Sequence, residues 1–481
     1  MKYEPVIGLE VHAQLLTASK IFCGCSTQFG GEPNAHTCPV CCGFPGVLPV
    51  LNKKVVEFAI KAGLATHCEI TRASILARKN YFYPDLPKGY QISQYELPIC
   101  CDGYIEFTLN DTLKRVRLTR IHMEEDAGKN IHDAHGDSSL IDLNRAGVPL
   151  LEIVSEPDMR TTEEAGAYLR ALRAILQFLE VCDGNMEEGS FRCDANISVR
   201  PAGTETLGTK IEIKNLNSFR AVERALEFEI DRQSDTLNEG GTLAQETRLW
   251  DEHREETRSM RSKESAHDYR YFPDPDLLPL VIPESWIEEI RAKLPELPAA
   301  RKRRFITDHC LPAYDAELLT SRKDIADYFE SAVRVYSNAK SLSNWIVGDL
   351  FRVLKERKLD EQLYIDTWPI QAPHLAELVQ LIDRGRINGK IAKMVFESML
   401  NSDDKTPQQL VNEKGLEQVS DAGSIEAAID QVLTSNPKQV EQYRSGNDKV
   451  FGFIVGQVMK ATQGKANPQK VNEILRDKLN R

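Results

Sequence analysis

The clearest pattern along the chain is an alternation of apolar and polar residues near its beginning. From Val6 to Leu15, every second residue is apolar. A period of two residues is typical of a β-strand with one buried face. Residues two apart in a strand project from the same face at a spacing of about 7 Å, so Glu10 and His12 are predicted to stand side by side. A single strand of this kind is commonly just a solvated face. The prediction of a site therefore depends on other strands with the same pattern.

A second alternating region ends in an unusual concentration of charge. Tyr104–Thr119 is predicted to form a β-hairpin, and it leads into three consecutive acids, Glu124, Glu125 and Asp126. Two unit charges about 4 Å apart repel by about 4 kcal/mol at an effective dielectric constant near 20. Solvent or a cation must offset this repulsion, and a divalent metal ion does so best.

Three further stretches carry polar residues in strand-like patterns. Pro149–Val154 is apolar except for one acid, which is either an exposed edge residue or a buried functional one. Arg192–Arg200 and Lys210–Lys214 alternate cleanly, as in antiparallel sheets with one open face. A face with acids for a metal and lysines for phosphate suits phosphoryl transfer. The polar positions are Glu152, Asp194, Asn196, Ser198, Lys210, Glu212 and Lys214.

Helical periodicity predicts the remaining elements. Lys53–Ala65 is apolar at helical spacing. Thr161 opens a capping box for a helix that continues to about Leu179. Ser218 is predicted to cap a long helix that ends at Gly240 and Gly241.

From Asp308 onward the pattern is helical, without a convincing strand. We therefore predict a sheet-containing domain at 1–293, a helical domain at 294–405 and a small helical tail domain at 406–481. Asn467 and Pro468 are predicted to be the cap and first residue of the last helix. Lys460, Lys465 and Lys470 cluster around the preceding turn; they are a candidate RNA contact or simply a solvated turn.

Composition narrows the class of protein. The chain has 481 residues, 41% of them hydrophobic, and a net charge of −12, which argues against a non-specific nucleic-acid binder. A local basic patch can still bind phosphate groups. No run of eighteen or more apolar residues predicts a membrane span, and the N-terminal sequence has no signal or presequence pattern. We therefore predict a cytoplasmic protein.

The cysteines indicate a metal site rather than disulfides. Eleven cysteines in a chain without a secretion signal fit a reducing compartment. Cys23, Cys25, Cys38 and Cys41 form two close pairs separated by a glycine- and proline-containing loop, a spacing typical of tetrahedral zinc. Cys42 is a spare thiol that leaves the exact ligand set open. Four thiolates leave no free coordination position, so zinc here would be structural.

A basic and aromatic segment is the remaining candidate for phosphate or base binding. Between Arg78 and Lys88, aromatic residues are interleaved with Arg78, Lys79 and Lys88, which suits a loop that stacks on a base or holds phosphates. A buried aromatic loop is the alternative. The sequence has no P-loop. In the nearest match, Gly203 to Gly208 is followed by Thr209 and then Lys210, whereas a P-loop has lysine before serine or threonine. The segment also leads into a strand and not into a helix. ATP, if bound, must bind by another architecture.

Four motifs follow one another along the chain: Val6–His12, Arg78–Asp85, His122–Gly128 and Asp268–Pro273. Together they closely resemble one known family, the B subunits of the glutamyl/aspartyl-tRNA amidotransferases, which are the GatB proteins of GatCAB complexes. The likeness runs from residue 3 to the last helix.

The resemblance implies a fold and a reaction. The implied fold is α+β: a cradle domain with a glutamine-synthetase-like antiparallel sheet, an all-α helical domain and a small all-α tail. The implied reaction uses ATP to phosphorylate the side-chain carboxylate of Glu on tRNA(Gln) or Asp on tRNA(Asn), and ammonia then displaces the phosphate. The implied partners are the A and C subunits of a heterotrimer, of which the first is a glutaminase that channels ammonia, and the mischarged tRNA. The mischarging aminoacyl-tRNA synthetase is a further candidate partner.

The resemblance also implies roles for particular residues. It implies Mg²⁺ held by His12, Glu125 and Glu152, with Glu10 and Glu124 beside it. Imidazole is an uncommon magnesium ligand, so His12 rests mainly on the family. The remaining polar-face residues implied in catalysis are Asp194, Asn196 and Glu212, with Lys79 and Lys214 near phosphate or guiding ammonia. The zinc cysteines occur in only some members of the family.

Two other functions remain open at this point. A ligase that amidates free glutamate or another small acid would use the same sheet without the basic tail. A non-catalytic protein that only holds tRNA would keep the tail and the zinc but would not need to gather Glu10, Glu124, Glu125 and Glu152.

Overall fold

A computed structural model describes residues 2–132, 138–260, 268–359, 367–401, 405–417, 422–462 and 466–480. The chain divides into two compact units, residues 1–301 and 302–481. The fold is of the α+β class, with the strands in the first unit. None of the helices in the described ranges combines the length and apolar character needed to span a bilayer.

The first unit is built on a nine-stranded sheet. Its strands, together with those of three small sheets, are numbered in chain order. They are β1 (Tyr3–Gln14), β2 (Glu69–Ile70), β3 (Ala73–Ser74), β4 (Ala77–Asn80), β5 (Tyr90–Ser93), β6 (Cys100–Leu109), β7 (Thr112–Glu125), β8 (Lys129–His132), β9 (Ser139–Asp142), β10 (Pro149–Ser155), β11 (Phe191–Pro201), β12 (Ile211–Leu216), β13 (Glu246–Asp251), β14 (Glu256–Ser259), β15 (Phe272–Pro273) and β16 (Leu280–Val281).

The large sheet has the order β14-β13-β12-β11-β1-β10-β7-β6-β2. All neighbouring strands are antiparallel except β12 and β13. β1 is therefore the central strand, between β11 and β10, and its alternation is confirmed as that of a strand with one buried face. The predicted hairpin is confirmed as β6 and β7. The small sheets are β15-β4-β5, β16-β3 and β8-β9.

Helices cover the apolar face of the large sheet. α1 (Lys53–Ala65), α2 (Thr162–Phe178) and α3 (Phe219–Asn238) bury their apolar sides against it. From β1 the core receives Ile7, Leu9, Val11 and Ala13, all fully buried or nearly so. The polar positions between them must therefore project from the other face.

The predicted helix boundaries are confirmed by their caps. Asn52 caps α1, Thr161 accepts a hydrogen bond from the Glu164 N–H at the start of α2, and Ser218 accepts one from the Ala221 N–H at the start of α3. The capping box of α2 differs in one detail, because the Glu164 carboxylate accepts from the Arg160 N–H, one residue before the cap.

The rest of the described chain is helical. The helices are α4 (Glu284–Ala292), α5 (Pro298–His309), α6 (Ala313–Leu319), α7 (Lys323–Val335), α8 (Ala339–Trp345), α9 (Phe351–Glu356), α10 (Ala372–Asp383), α11 (Gly389–Met399), α12 (Pro407–Glu413), α13 (Ala422–Ser435), α14 (Pro437–Arg444), α15 (Lys449–Ala461) and α16 (Pro468–Leu479), and a π-helical turn, Ile346–Leu350, joins α8 to α9.

The last helices of the second unit share a core of their own. Ile425 and Ile429 from α13 pack with Ile454 from α15 and with Val471 and Leu475 from α16. The predicted start of the final helix is confirmed, since the Asn467 side chain accepts from the backbone N–H groups of Gln469 and Lys470.

A buried carboxylate ties α3 to the edge of the large sheet. Glu229 is fully buried and accepts hydrogen bonds from Arg232, Gln233 and, across the sheet edge, Thr257. The Arg248 Nε lies 3.1 Å from its Oε1. Burial opposes ionisation, but these donors outweigh it and hold the pKa of Glu229 below its usual value.

We predict that Glu229→Gln destabilises the first unit by about 3 kcal/mol at pH 7, because it removes a fully buried charge partner from the partly buried Arg232 and Arg248. A lowered folded pKa stabilises above the unfolded pKa of about 4.3 and loses its effect as pH falls through the folded value. The difference from the wild type should therefore shrink below about pH 4. Urea denaturation at pH 7 and pH 3.5 measures it.

Glu246→Gln is the matched control for this measurement. Glu246 binds the same Arg248 from a half-buried position, and partly exposed pairs contribute about 1 kcal/mol or less. Equal losses of unfolding free energy in the two variants would contradict the assignment of Glu229 as the residue that ties α3 to the sheet edge.

Candidate active site on the polar face of the sheet

Strand register places four polar side chains in one row across the centre of the sheet. His12 of β1 lies opposite Glu152 of β10, and Glu152 lies opposite His122 of β7. On the other side of β1, His12 faces Arg192 of β11. Direct cross-strand neighbours have Cβ atoms about 5 Å apart, so these side chains are within reach of one another.

The neighbouring rows carry most of the other predicted residues. Glu10 lies opposite Asp194, and Asn196 lies between Gly8 and Glu212. The Lys214 ammonium is 2.6 Å from Asp194 and 3.0 Å from Glu212. These two acids raise the pKa of Lys214 against the effect of burial, which keeps the lysine charged.

Three carboxylates converge on one imidazole nitrogen. The His12 Nε2 lies 3.3 Å from Glu152, 3.5 Å from Glu124 and 3.9 Å from Glu10. Glu124 and Glu152 are buried, whereas His12 and Glu10 are partly exposed. We call His12, Glu10, Glu124 and Glu152 the acid cluster.

The electrostatics of the acid cluster follow from this packing. Burial opposes ionisation of Glu152, but the two imidazoles of His122 and His12 overcome it and hold the pKa of Glu152 well below its usual value. Burial, followed by repulsion from Glu152, raises the pKa of Glu10. The two histidines are stabilised in the charged form by the acids despite burial, so the pKa of His12 rises and that of His122 rises to about 9.

The spacing of the cluster fits a divalent cation. Ligands about 2.1 Å from an octahedral ion lie about 3.0 Å apart when adjacent and about 4.2 Å apart when opposite. The three separations from His12 Nε2 are within this interval. The donor atoms of His12, Glu124 and Glu152 all lie within 4.8 Å of one another, as do those of Glu10, His12 and Asp194. These residues could hold Mg²⁺, although imidazole suits softer divalent ions better.

Glu125 does not belong to this cluster, which corrects the ligand set expected from the sequence. Consecutive residues of a strand project from opposite faces, and Glu124 takes the position beside His12 and Glu152. The Glu125 carboxylate instead accepts a hydrogen bond of 2.8 Å from the Ile92 N–H and pairs with the Lys88 ammonium. It lines a cavity of about 200 Å³ beside the cysteine loop.

Lys79 approaches the acid cluster from the small sheet β15-β4-β5. Its ammonium lies 5.0 Å from the centre of the Tyr269 ring. Burial opposes its charge, but Glu124, Tyr271 and Glu152 together raise the pKa of Lys79, so these neighbours favour the charged form of the lysine. Arg78 has another role, because Asp274 and Asp276 bind its guanidinium and Tyr90 stacks against it at 4.1 Å.

The four predicted cysteines converge in the loop that follows β1. Their sulfur atoms lie within 4.8 Å of one another, and Cys38 and Cys41 are 3.9 Å apart. Four sulfurs bound to zinc at about 2.3 Å would be about 3.8 Å apart. This agreement is the evidence that Cys23, Cys25, Cys38 and Cys41 fit tetrahedral zinc.

The surroundings of Cys41 favour its thiolate, whereas a hydrogen bond with Cys41 and burial raise the pKa of Cys23, and burial and Cys38 raise the pKa of Cys25. The Cys38 N–H donates to Cys41 Sγ, and the fully buried Lys20 places its ammonium 3.6 Å from the same sulfur. A hydrogen bond from the Cys23 thiol lowers the pKa of Cys41 to about 4 against the effect of burial, and the Cys38 N–H and Lys20 act in the same direction.

The tail lysines lie in two helices of the second unit. Lys460 is exposed near the end of α15 and Lys470 is exposed in the first turn of α16. Lys465 lies outside the described residues. Their contact with RNA stays a prediction.

Sequence reasoning missed three residues that contact the buried acids. His122 and Arg120 lie near Glu152, and the Ser93 hydroxyl donates to Glu124 at 3.3 Å. The signal for the first two was present, because residues 120, 122 and 124 share one face of β7. Ser93 could not have been found this way, since its contact depends on the packing of a separate strand.

Comparison with known proteins gives a consistent result over the whole chain. The family model of the GatB/GatE catalytic domain matches residues 5–288, and a second family model, that of the GatB domain, matches residues 327–479. Proteins named as the B subunit of aspartyl/glutamyl-tRNA(Asn/Gln) amidotransferase are 60% identical in Geotalea uraniireducens and 58% identical in Trichlorobacter lovleyi, over all of both chains. The protein of that name from Carboxydothermus hydrogenoformans is 56% identical over 99% of each chain. This chain therefore belongs to the GatB family of tRNA amidotransferase B subunits.

Proposed function

We propose that this chain converts Glu-tRNA(Gln), Asp-tRNA(Asn) or both to the corresponding amides, at the acid cluster and with ATP as the second substrate. It does so as a carbon–nitrogen ligase with glutamine as the amide donor. It works in a heterotrimer with a glutaminase, the A subunit, and with the C subunit. The names of its relatives support the reaction, and the acid cluster supports the site. Because aminoacyl-tRNA is used in translation, we place the reaction in the cytoplasm.

The observation that carries this proposal is the convergence of Glu10, Glu124 and Glu152 on His12, with Lys79 close by. Phosphoryl transfer depends mainly on positioning and on charge neutralisation. A bound divalent cation would be held by His12, Glu124 and Glu152, and it would neutralise charge on the phosphate oxygens. A protein that only holds tRNA would have no use for this arrangement.

The first step activates a poor electrophile. A side-chain carboxylate oxygen of the aminoacyl group attacks the γ-phosphorus of ATP and ADP leaves, which gives an acyl phosphate. Lys79 is placed to bind phosphate oxygens, because burial and the acids keep it charged near the cluster. Lys214 is held beside Asp194 and Glu212 on the same open face.

The second step forms the amide. The ammonia nitrogen attacks the acyl carbon, phosphate leaves with the electrons of the broken C–O bond, and the nitrogen loses one proton. Glu10 is more exposed than Glu124 and Glu152, so it is the acid of the cluster best placed to accept that proton. Asn196 and Glu212 complete the polar face and are candidate substrate contacts.

The remaining assignments concern domains and partners. We assign residues 1–293 to a glutamine-synthetase-like cradle, 294–405 to a helical domain and 406–481 to a tail that contacts tRNA through Lys460 and its neighbours. The mischarging aminoacyl-tRNA synthetase is a further candidate partner. The four-cysteine site leaves no open coordination position, so its zinc would hold the loop in shape.

Substrate specificity is the most direct test. The chain is assembled with its A and C partners, and phosphate release is measured with MgATP and ammonium. We expect turnover with Glu-tRNA(Gln) or Asp-tRNA(Asn) and only background with uncharged tRNA. Supplying ammonium makes the result independent of the glutaminase. Turnover with free glutamate would instead identify a small-molecule ligase.

The acid cluster is tested by Glu124→Gln, which keeps the shape of the side chain and removes its charge. Loss of a few kcal/mol of charge stabilisation should slow phosphate release by about 100-fold or more. Binding of tRNA should stay within about threefold of the wild type. Glu106→Gln, at a partly exposed acid of β6 that pairs with Arg115, is the control and should keep full activity. Normal turnover by Glu124→Gln would refute the site.

The zinc site is tested by two neighbouring cysteines. We expect about one zinc per wild-type chain, little zinc in Cys38→Ser and a normal content in Cys42→Ser, whose thiol is outside the group of four. Structural zinc contributes directly to folding, so Cys38→Ser should lower the thermal midpoint by about 5 °C or more. Elemental analysis and thermal denaturation measure both effects, and zinc-free wild-type protein of full stability would contradict the prediction.

A further inference from the structure

His122 occupies the closed end of the central row of the sheet. Its side chain is 4% exposed, whereas that of His12, on the other side of Glu152, is 18% exposed. The Oε2 atom of Glu152 lies between the two rings, 3.2 Å from His122 Nε2 and 3.3 Å from His12 Nε2. One carboxylate oxygen is thus shared by a buried and an accessible imidazole.

The contact made by Nδ1 of His122 shows which ring nitrogen carries the proton. In the neutral ring, His122 Nδ1 accepts a hydrogen bond from the Arg120 Nε–H at 3.3 Å, so the proton of that ring is on Nε2. In the charged ring Nε2 is protonated as well. His122 therefore donates from Nε2 toward Glu152 in either state, and its role does not depend on its titration.

We propose, on the basis of the function proposed above, that His122 is the positioning residue of the acid cluster: it donates to Glu152 and fixes that carboxylate for cation binding. A carboxylate ligand without an outer donor can rotate about its terminal bond, and outer donors of this kind are a common source of metal affinity. The strand register of β7, β10 and β1 sets the order His122, Glu152, His12.

The division of roles between the two histidines follows from their exposure. His12 is open to the polar face and surrounded by three acids, so it suits a ligand. His122 is enclosed, and Arg120 occupies its second nitrogen while also approaching Glu152 Oε1 at 3.7 Å. Arg120 thereby supports both His122 and the carboxylate that His122 holds.

Two amide variants of His122 separate a positioning role from a general packing role. The amide nitrogen of glutamine reaches the position of the ring Nε2, whereas that of asparagine reaches only the position of Nδ1. His122→Gln can therefore still donate to Glu152, and His122→Asn cannot. Both replace a buried ring by a smaller polar side chain, so they are matched in the packing that they disturb.

The experiment titrates the full chain with Mn²⁺, which prefers the oxygen and imidazole ligands of such a site to thiolates, and follows free Mn²⁺ by electron paramagnetic resonance. The variants are His122→Gln, His122→Asn and Glu152→Gln, each checked by urea denaturation. We expect His122→Asn to weaken Mn²⁺ binding 10- to 100-fold and His122→Gln to restore most of it. If His122→Asn does not fold, His122→Met removes the donor with an apolar side chain of similar size.

The outcomes distinguish this inference from the proposed function. Equal Mn²⁺ affinity in the wild type and in the variant without the donor would overturn the role of His122, and so would equal losses in His122→Gln and His122→Asn. If Glu152→Gln also binds Mn²⁺ as tightly as the wild type, the metal site itself fails and the proposed function fails with it.

Discussion

The main electrostatic constraint on the first unit is the mutual repulsion among three carboxylates that the sheet holds together. Glu10, Glu124 and Glu152 surround one nitrogen of His12 within 3.9 Å, and two of the three are buried. Ligand atoms of Glu124 and Glu152 lie within 4.8 Å of each other, and unit charges about that far apart repel by about 3 kcal/mol at an effective dielectric constant near 20. Among the described residues, the cations that offset them include His12, His122, Arg120 and Lys79. The strand register therefore gathers negative charge that one more bound cation would stabilise.

That register is maintained by the apolar face of the same strands. A shift of one residue in β1 would move Ile7, Leu9 and Val11 out of the core and Glu10 and His12 into it. The helices α1, α2 and α3 make such a shift costly because they bury the apolar side chains. The precision of the polar face thus comes from packing on the opposite side of the sheet.

Much of this arrangement could be predicted from alternation and capping alone. Parity placed Glu10 beside His12 and placed Asp194, Asn196 and Glu212 on polar faces, and the caps at Thr161, Ser218 and Asn467 marked helix starts. Alternation also implies that Glu124 and Glu125 project from opposite faces of their strand. The sequence could not say which of the two faces His12. The choice of Glu124 over Glu125 requires the pairing of β7 with β10. The contact of Ser93 with Glu124 comes from tertiary packing and has no local signal.

The end of β7 connects the cysteine loop with the acid cluster. At the end of β7, Glu124 turns toward His12, while Glu125 turns toward Lys88 and the cavity that Cys23, Cys41 and Lys20 also line. Lys20 contacts Cys41 Sγ and donates to the Leu143 carbonyl at 3.2 Å, so it joins the cysteine loop to the segment just before β10. β10 in turn carries Glu152. A loop held by metal would therefore restrain the ends of these strands on one side of the sheet, while the acid cluster lies on the other side. A structural zinc ion would then be physically connected to the acid cluster without taking part in its chemistry.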